Sequence, residues 1–391
     1  MNITFFSSME GSSWGGSEDL WYGTALLALE KGINVQVCVK EWDNLSDKIK
    51  NLQRNGAQIV FREKPPKITF RKIINRLAYQ KTNLGYLTNF RIGYPGKIKS
   101  FKPDAMLISQ GATFDFFFIS YLYHYIQRTK TPYSLISQWN VENGGILNTG
   151  TINRIKNTFN WSNFYFVAER NLLTAERQYG GTLHNSKVVS NLSDFSGLEP
   201  GNWPAETGYL KLACIGRLDC RTKGQDILFE ALSSEQFKNI KFEINLYGSG
   251  DDHEHLKALV AYYGLSDKIF FKGHIHDRNE IWANNHMLIL PSISEGTSLA
   301  LQECMLKGRP ALATDVGDSA KLVIDNKTGF LASVCSVNAL QKSLTQLFNT
   351  PIDDLKVMGN NASIHANAIV IRNSSELILN DLIASASLAK K

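Results

Sequence analysis

Short apolar segments alternate with helical patterns along the first half of the chain, and the alternation starts again in the second half. The first half contains the predicted strands NITFFSS, NVQVCV, AQIVFR, DAMLISQ, YSLISQ, FYFVAE and KVVSN. The second half contains LKLACIGRL, KFEINLYG, IFFKGHI, MLILPS and PALATD. Strands that are apolar throughout and separated by helices indicate parallel sheets covered on both faces. The pattern therefore predicts an α/β protein with two doubly wound, Rossmann-like domains.

The length of 391 residues also favours two domains over a single core. The stretch SDFSGLEPGNWPAETG is rich in turn residues and is typical of a linker. We predict an N-terminal domain over 1–195, a linker over 196–208, a C-terminal domain over 209–370 and a helical segment over 371–391 that could return to the N-terminal domain. Ligands bind beyond the carboxyl ends of parallel strands, so we expect the site in a cleft between the domains.

Composition excludes several classes of protein. No apolar run reaches about 18 residues, and the N-terminus lacks the features of a secretory signal, so we expect neither a membrane span nor export. The five cysteines are scattered and odd in number, which predicts reduced thiols and a cytoplasmic location. Neither these cysteines nor the histidines have metal-ligand spacing, so no metal is predicted.

Positive charge is concentrated in one segment of a chain whose net charge is +6. Between Arg62 and Lys102 there are eleven basic residues and one acid. Within this segment Arg71, Lys72 and Arg76 lie beside an apolar helical stripe. Such a helix can bind an anionic membrane surface, and it can equally be a core-facing helix with a solvated basic side. No nucleic-acid-binding motif accompanies the charge, so nucleic acid is not a predicted partner.

A glycine loop and a basic loop each follow a predicted strand. Gly15 and Gly16 precede a helix for which Ser17 is a candidate N-cap, and glycine there permits close approach of a ligand or serves only a structural turn. Arg217 and Lys223, in IGRLDCRTKGQDIL, could neutralise a diphosphate. Alternatively, Arg217 pairs with Asp219 at the surface.

The stretch PSISEGTSLALQECMLKG holds two glutamates, Glu295 and Glu303. Glu295 follows a buried strand, and a helix is predicted to start near Thr297 or Ser298. The amides at this helix start suit a phosphate or a hydroxyl group. The alternative is a surface pair of Glu303 with Lys307, which leaves Glu295 unexplained.

Together these motifs resemble those of the family 4 retaining glycosyltransferases, which have the two-domain GT-B fold. SEGTSLALQE resembles the family's E-x7-E motif, and GRLDCRTKG resembles its Gly-Arg-Leu and Lys-Gly elements. VVSNLSDF is similar to the interdomain segment, with Asn191, and GGSE is similar to the N-terminal glycine loop. DNKTGFLA resembles the turn that follows the motif.

The resemblance implies roles for individual residues. Arg217 and Lys223 would hold the donor's diphosphate, Glu295 the hydroxyls of its sugar, and Glu303 the ribose. These three catalytic candidates, Arg217, Lys223 and Glu295, are joined by a set that would bind the donor: Gly15, Gly16, Gly216, Gly248, Gly273, His274, Ile275, Gly296, Thr297, Ser298, Leu299 and Glu303. The acceptor-side candidates are Gln110, Gln138, Asn140, Glu142 and Asn191. The family's N-domain histidine has no counterpart here, so no general base is assigned.

The function implied by the resemblance is transfer of a sugar, with retention, from a UDP- or GDP-sugar to a glycan or lipid-linked acceptor. It would require no cofactor and no metal. The setting would be bacterial surface polysaccharide or glycolipid assembly, in the cytoplasm or peripherally on the inner face of the membrane. Two alternatives remain open: a non-catalytic sugar-nucleotide-binding protein and a sugar-nucleotide epimerase of the same fold.

Overall fold

The computed structural model describes residues 1–11, 13–62, 94–140, 142, 147–157, 160–192, 194–205, 207–275 and 277–389. Arg71, Lys72 and Arg76, the membrane candidates, lie outside these residues. The chain divides into two compact units. Unit 1 comprises Met1–Ser193 and Arg372–Lys391, and unit 2 comprises Asp194–Ile371.

Unit 1 is built on a seven-stranded parallel sheet with the strand order β3-β2-β1-β4-β5-β6-β7. Its strands are β1 (Asn2–Ser7), β2 (Asn34–Lys40), β3 (Gln58–Arg62), β4 (Ala105–Ala112), β5 (Tyr133–Trp139), β6 (Phe164–Phe166) and β7 (Ser186–Val188). The strand order reverses between β1 and β4, which is the switch point where ligands bind in such sheets.

The helices of the first 193 residues connect these strands. They are α1 (Asp19–Glu30), α2 (Asp47–Arg54), α3 (Tyr94–Phe101), α4 (Ser120–Thr129), α5 (Thr149–Asn157) and α6 (Glu169–Tyr179). Short 3-10 helices span Gly16–Glu18 and Asp115–Phe118. The first of these differs from the sequence prediction: Ser17 lies inside the 3-10 turn, and Glu18 is the residue that precedes α1.

Unit 2 is built on a six-stranded parallel sheet with the order β10-β9-β8-β11-β12-β13. Its strands are β8 (Leu210–Ile215), β9 (Phe242–Tyr247), β10 (Ile269–Gly273), β11 (Met287–Leu290), β12 (Ala311–Thr314) and β13 (Gly329–Ala332). The sequence analysis interpreted DNKTGFLA as a turn, and strand β13 corrects this interpretation for its second half. Only its first half turns, and GFLA pairs with β12.

The helices of unit 2 surround this sheet. They are α7 (Cys220–Lys223), α8 (Gln225–Leu232), α9 (Glu235–Lys238), α10 (His253–Tyr262), α11 (Arg278–Asn284), α12 (Leu299–Leu306), α13 (Ser319–Leu322), α14 (Val337–Asn349) and α15 (Ile352–Ile369). Leu212 and Met287 of neighbouring strands are fully buried in a core that also takes Leu344 of α14.

The last helix, α16 (Ser374–Leu388), belongs to unit 1. Ile378, Leu379, Leu382 and Ala386 recur at helical spacing and enter the same core as Trp21 of α1. A polar contact adds to this packing, since Asp381 Oδ2 accepts hydrogen bonds from Tyr165 Oη and Lys187 Nζ, both at 2.6 Å. The apolar stripe explains why the chain returns to its first unit.

Within the part of the chain that the structure describes, no helix combines the length and the apolar character needed to cross a membrane.

Candidate functional site

The loop that follows β11 is hydrogen-bonded to the short helix α7. The carbonyl of Thr222 accepts from the amides of Ile293 and Ser294, at 2.9 and 3.2 Å. This double contact joins the end of α7 to the segment that carries Glu295. Because β8 and β11 are neighbouring parallel strands, the residues after each of them meet at the same edge of the sheet.

Lys223 and Glu295 form an ion pair at this edge. Lys223 Nζ contacts Glu295 Oε1, and the side chains are only 18% and 12% exposed. The same Oε1 atom accepts a hydrogen bond from Ser292 Oγ at 2.8 Å. Two of the three catalytic candidates are therefore side by side, although 72 positions separate them in sequence. A carboxylate with a cation and a hydroxyl on one oxygen is held in place and keeps its other oxygen for a ligand.

Gly224 allows this approach. Its φ is +63°, and a Cβ atom there would lie 2.3 Å from the carbonyl oxygen of Pro291. Any side chain would push α7 away from the end of β11. The Lys-Gly element thus combines a cation with the small residue that lets it reach the neighbouring strand.

Arg217 occupies a different position from Lys223. Its side chain is 59% exposed, and Nη2 lies 3.8 Å from Asp219 Oδ2. Asp219 in turn accepts a hydrogen bond from Thr222 Oγ1 at 2.7 Å. The structure shows the surface pairing that the sequence left open, and the guanidinium remains accessible to a ligand at the same edge.

Glu303 pairs with Arg278 rather than with Lys307. Arg278 Nη1 donates to Glu303 Oε1 at 3.2 Å, and its Nη2 lies 2.9 Å from Asp194 Oδ2. Burial acts to raise the pKa of Asp194, but hydrogen bonds from Ser196 and the charge of Arg278 outweigh it and lower that pKa. The guanidinium therefore holds a carboxylate on each side.

Lys307 is used elsewhere. Its Nζ donates to the carbonyl of Gly197 at 2.9 Å and to Asn279 Oδ1 at 3.0 Å. The alternative Glu303–Lys307 surface pair is thus wrong, because both side chains have other partners in the folded unit.

The helix after Glu295 starts close to the predicted position. Ser298 is the N-cap of α12, and its Oγ accepts from the amide of Leu301 at 3.4 Å. Gly296, Thr297 and Ser298 form the turn before the helix, and Leu299 is its first residue. The positive end of α12 therefore lies next to Glu295.

The loops after β8, β9 and β10 are joined backbone to backbone. Gly216 N donates to Tyr247 O at 3.0 Å, and Gly248 N donates to Gly273 O at 2.8 Å. A Cβ atom on Gly248 would stand 2.0 Å from the carbonyl oxygen of Gly216, so close approach of the two loops requires glycine at 248. His274, after Gly273, is exposed.

Ile275, another of the predicted donor-binding residues, is half-buried. Three glycine-containing loops and the Lys223–Glu295 pair thus belong to one edge of the unit 2 sheet.

Unit 1 places Gly15 and Gly16 before its buried acid, Glu18. Gly15 has extended backbone, and Gly16 begins the 3-10 turn. Glu18 is 5% exposed, and its Oε2 accepts from Ser7 Oγ at 2.6 Å. Burial raises the pKa of Glu18 to about 7, against the opposing effect of that hydrogen bond. The acid lies at the end of β1, at the switch point of this sheet.

The acceptor-side candidates lie at the ends of β4 and β5 or in the segments that follow β5 and β7. Gln110 uses its whole amide locally: Nε2 donates to Thr113 O, and Oε1 accepts from Phe116 N at 2.7 Å. Gln138 is 7% exposed, and its Nε2 makes a long contact of 3.4 Å with Ser109 Oγ. Gln110 therefore shapes a turn, whereas Gln138 has capacity left for a ligand.

The other three acceptor-side candidates are held in part by protein. Asn140 and Asn191 are buried, at 5% and 7% exposure. Glu142 Oε1 lies 3.7 Å from Arg170 Nη1.

Sequence reasoning missed Ser292, Arg278 and Asp115. Ser292 lies three residues before Glu295, and a hydroxyl so near a buried carboxylate was a usable signal. Arg278 follows the α11 N-cap Asp277 and carries no motif of its own. Asp115 lies beyond β4, and its Oδ2 accepts from Ala112 N at 2.9 Å. Only tertiary structure reveals the last two.

The described ranges also bear on metal binding. Among those residues, no cluster of three or more histidine, cysteine, aspartate or glutamate side chains is placed to hold a metal ion.

One segment of the chain matches a known family. Residues 210–350 match the family model described as Glycosyl transferases group 1. The matched segment lies within unit 2 and includes Arg217, Lys223, Glu295 and Glu303. It covers less than half of the chain. Within it lie the three glycine-containing loops and the Lys223–Glu295 pair described above.

Curated relatives are similar over comparable stretches. An uncharacterized glycosyltransferase of Haemophilus influenzae is 25% identical over 181 residues, which is 46% of this chain and 51% of the relative. The lipopolysaccharide core biosynthesis mannosyltransferase LpcC of Rhizobium leguminosarum bv. viciae is 31% identical over 163 residues, 40% of this chain and 46% of that protein. The chain thus spans about half the length of these relatives.

Solved structures show the fold over the whole chain. The crystal structure of Anabaena HepE in complex with UDP-glucose aligns with a TM-score of 0.69, covering 98% of this chain and 99% of HepE at 16% identity. Together with the two parallel α/β sheets, this likeness confirms the prediction of the GT-B glycosyltransferase fold.

Proposed function

We propose that this protein is a retaining glycosyltransferase that moves a sugar from a UDP- or GDP-sugar to a glycan or lipid-linked acceptor. The observation that carries the proposal is the half-buried Lys223–Glu295 pair beside the N-terminus of α12. One relative is named a lipopolysaccharide core mannosyltransferase, and HepE binds UDP-glucose, which supports a nucleotide-sugar donor and a bacterial polysaccharide or glycolipid product.

Each charged group at the edge of the unit 2 sheet then has a distinct task. The ammonium of Lys223 and the exposed guanidinium of Arg217 bind the donor's diphosphate. Glu295 accepts hydrogen bonds from hydroxyls of the sugar through its second oxygen. Glu303, oriented by Arg278, accepts from the ribose. The segment that matches Glycosyl transferases group 1 includes Arg217, Lys223, Glu295 and Glu303, which supports these assignments.

The reaction proceeds by front-face attack. The acceptor oxygen forms a bond to the anomeric carbon on the face from which the diphosphate departs, as the bond between that carbon and the phosphate oxygen breaks. The acceptor's proton passes to the departing phosphate oxygen, so no protein base is needed. Charge grows on the phosphate in the transition state, and the cation of Lys223 stabilises it there more than in the ground state.

The acceptor is assigned to unit 1. Gln110 lies in β4, at the switch point of that sheet, but its amide is used locally, so the candidates are Gln138 in β5 and Asn140 after it. We place the enzyme in the cytoplasm, at the inner face of the membrane, with Arg71, Lys72 and Arg76 as the residues that would bind anionic lipid. Liposome association should then need anionic lipid and weaken with salt.

A nucleotide-sugar panel tests the donor half of the proposal. Thermal unfolding of the full chain is followed with UDP-glucose, UDP-galactose, UDP-N-acetylglucosamine and GDP-mannose. A true donor binds the folded state and raises the midpoint with concentration. The Lys223→Ala variant should lose most of that shift. Arg221→Ala removes an exposed cation from the same helix and should keep it.

Product stereochemistry tests the second half. The donor that gives the largest shift is incubated with saccharide acceptors, and the anomeric configuration of the new bond is read by NMR. Retention is expected. Inversion would overturn the front-face mechanism, and a panel without any stabilising nucleotide sugar would overturn the glycosyltransferase assignment.

A further inference from the structure

A cavity opens at the carboxyl ends of β1, β4 and β5 in unit 1. Its volume is about 260 Å³, just below the range of roughly 300–1,000 Å³ that is usual for drug-sized ligands. It therefore has room for one ring-sized group. The strands that border it include both sides of the switch point between β1 and β4, the usual place for a ligand in this type of sheet.

Carboxyl groups dominate the charged lining of this cavity. Among its described lining residues the ionisable ones are Glu10, Glu18 and Asp115, and none is basic. The charge of Glu10 is matched by Lys40 at 3.0 Å and by Arg62 at 2.6 Å. Glu18 and Asp115 form no ion pair with a described residue. An anionic ligand would therefore meet no basic side chain among the described lining residues of this partly dry cavity.

The amide of Gln138 is a second, independent sign of a ligand. This residue is only 7% exposed, yet it lines the cavity. Its only hydrogen bond to a described residue is the long one from Nε2 to Ser109, so Oε1 accepts nothing there. Asp115 likewise accepts through Oδ2 alone. Both oxygens can accept hydrogen bonds from hydroxyl groups that enter the cavity.

Trp139 supplies an apolar wall. It ends β5, lines the cavity and is 36% exposed. Gly111 lies beside the indole, since a Cβ atom at 111 would be in ordinary contact with the Trp139 Nε1 atom, at 3.4 Å. A pyranose ring presents an apolar face of C–H bonds and a rim of hydroxyls. An indole beside hydrogen-bond acceptors matches that arrangement.

We propose that this cavity binds an uncharged pyranose at the end of the acceptor, stacked on Trp139 and hydrogen-bonded to Gln138 and Asp115. The inference rests on the proposed glycosyltransferase function, of which it specifies the acceptor. Acceptors that end in a phosphorylated sugar or a uronic acid are discriminated against, because their charge would meet carboxyl groups and no basic lining residue.

Matched monosaccharides test the cavity directly. Binding of methyl glucoside, methyl galactoside, methyl mannoside and methyl N-acetylglucosaminide to the full chain is measured by saturation-transfer NMR. Methyl glucuronide and glucose 6-phosphate are the anionic counterparts. We expect at least one neutral glycoside to bind, and the anionic sugars to bind at least about tenfold more weakly.

Two variants show where the glycoside binds. Trp139→Ala should weaken binding of the neutral sugar by about fivefold or more, since the apolar face of the ring loses the indole on which it stacks. Tyr262→Ala, which removes a 78% exposed aromatic ring from unit 2, is the matched control and should change nothing. Asp115→Asn keeps an oxygen for the Ala112 amide, and it should retain neutral binding while reducing the discrimination against glucuronide.

Three results would overturn the inference: no neutral glycoside binds, the anionic sugars bind as well as the neutral ones, or Trp139→Ala binds like the wild type. The nucleotide-sugar panel separates this failure from that of the proposed function. If UDP-sugars stabilise the protein and glycosides do not bind, the cavity assignment fails alone. If glycosides bind and no nucleotide sugar does, the glycosyltransferase assignment fails and the saccharide site stands.

Discussion

The carboxyl edges of the two sheets carry acids in opposite settings. In unit 2, Glu295 is paired with Lys223, and Glu303 is paired with Arg278. In unit 1, Glu18 lies buried against a serine hydroxyl, and no described residue forms an ion pair with it. Two sheets of the same type thus provide different electrostatic sites. The ion-paired acids of unit 2 suggest a site for an anionic ligand, whereas the buried acid of unit 1 suggests a site for an uncharged group.

The pairs in unit 2 explain how acids can be kept charged in a half-buried place. Removing a charge from water is costly unless it is paired and hydrogen-bonded. Glu295 receives both a cation and the Ser292 hydroxyl. Glu18 has no ion pair with a described residue, so burial outweighs its hydrogen bonds and the charge of Arg62 and raises its pKa to about 7. The surroundings, rather than the residue type, set the chemistry of each glutamate.

The largest expected effect comes from removing the cation of unit 2. Lys223→Ala should reduce sugar transfer by roughly a hundredfold or more, as for loss of a group that stabilises transition-state charge. The loss should appear in KM as well as in kcat, since Lys223 binds the diphosphate and also stabilises the charge that grows on it. Steady-state rates with the donor identified by thermal shift measure it.

Arg221→Ala is the control for that experiment, because it deletes a cation of the same helix that no described residue pairs with. Arg217→Ala should also slow transfer strongly if its exposed guanidinium meets the diphosphate. Turnover near that of the wild type in Lys223→Ala would remove this residue from the mechanism and end the electrostatic contrast between the two edges.

Next in size is the effect of pH on the buried acid of unit 1. The pKa of Glu18 is raised from 4.5 to about 7 in the folded state, so the folded protein keeps this proton to a higher pH than the unfolded chain does. The contribution to stability is complete below pH 4.5 and is lost as pH rises to 7. The total is about 3 kcal/mol. The hydrogen bond from Ser7 lowers this pKa. Of the neighbouring charges, Arg62 also lowers it and Asp19 raises it.

Glu18→Gln removes the proton equilibrium and keeps an oxygen for Ser7. Relative to the wild type, the variant should therefore gain stability between pH 5 and pH 8, measured by urea unfolding at each pH. Glu41→Gln, at an exposed position of the same unit, should show no such gain. A stability difference between Glu18→Gln and wild type that stays constant with pH would contradict the raised pKa.

Much of the fold and part of the site could be predicted because their signals are local. The apolar strands, the start of α12 and the charged residues after β8 and β11 are each visible within about ten residues. The ion-pair partner of Glu303 could not be predicted, because Arg278 lies 25 positions away at the start of a helix that carries no motif. The burial of Glu18 and the space around Trp139 depend on how whole elements pack. Strand β13 was missed because its four residues follow a strong turn signal.

A smaller effect is expected from the second ion pair of unit 2. Arg278→Ala should raise KM for the nucleotide sugar by about tenfold, or ~1.4 kcal/mol, because Glu303 loses the group that orients it toward the ribose. The ribose is remote from the anomeric carbon, so kcat should change little. Arg278→Lys should restore part of the affinity, since Lys keeps the charge but not the two-sided contact.

Lys238→Ala breaks an exposed pair with Glu235 in the same unit and is the control for Arg278→Ala. A fall in kcat with unchanged KM in Arg278→Ala would show that this arginine acts on the chemistry instead, and would make the two ion pairs of unit 2 equivalent.

The smallest effect is expected from chelation. If the ammonium of Lys223 provides the positive charge at the diphosphate, as the contrast between the two edges suggests, then EDTA should leave the transfer rate unchanged. The assay compares initial rates in EDTA with rates in added Mg²⁺ and Mn²⁺, for the wild type and for Lys223→Ala. A wild-type rate that collapses in EDTA and recovers with a divalent ion would assign the diphosphate's charge to a metal. Lys223 would then be a partner of Glu295 alone, and the edge of unit 2 would owe its preference for anions to an ion that the protein recruits.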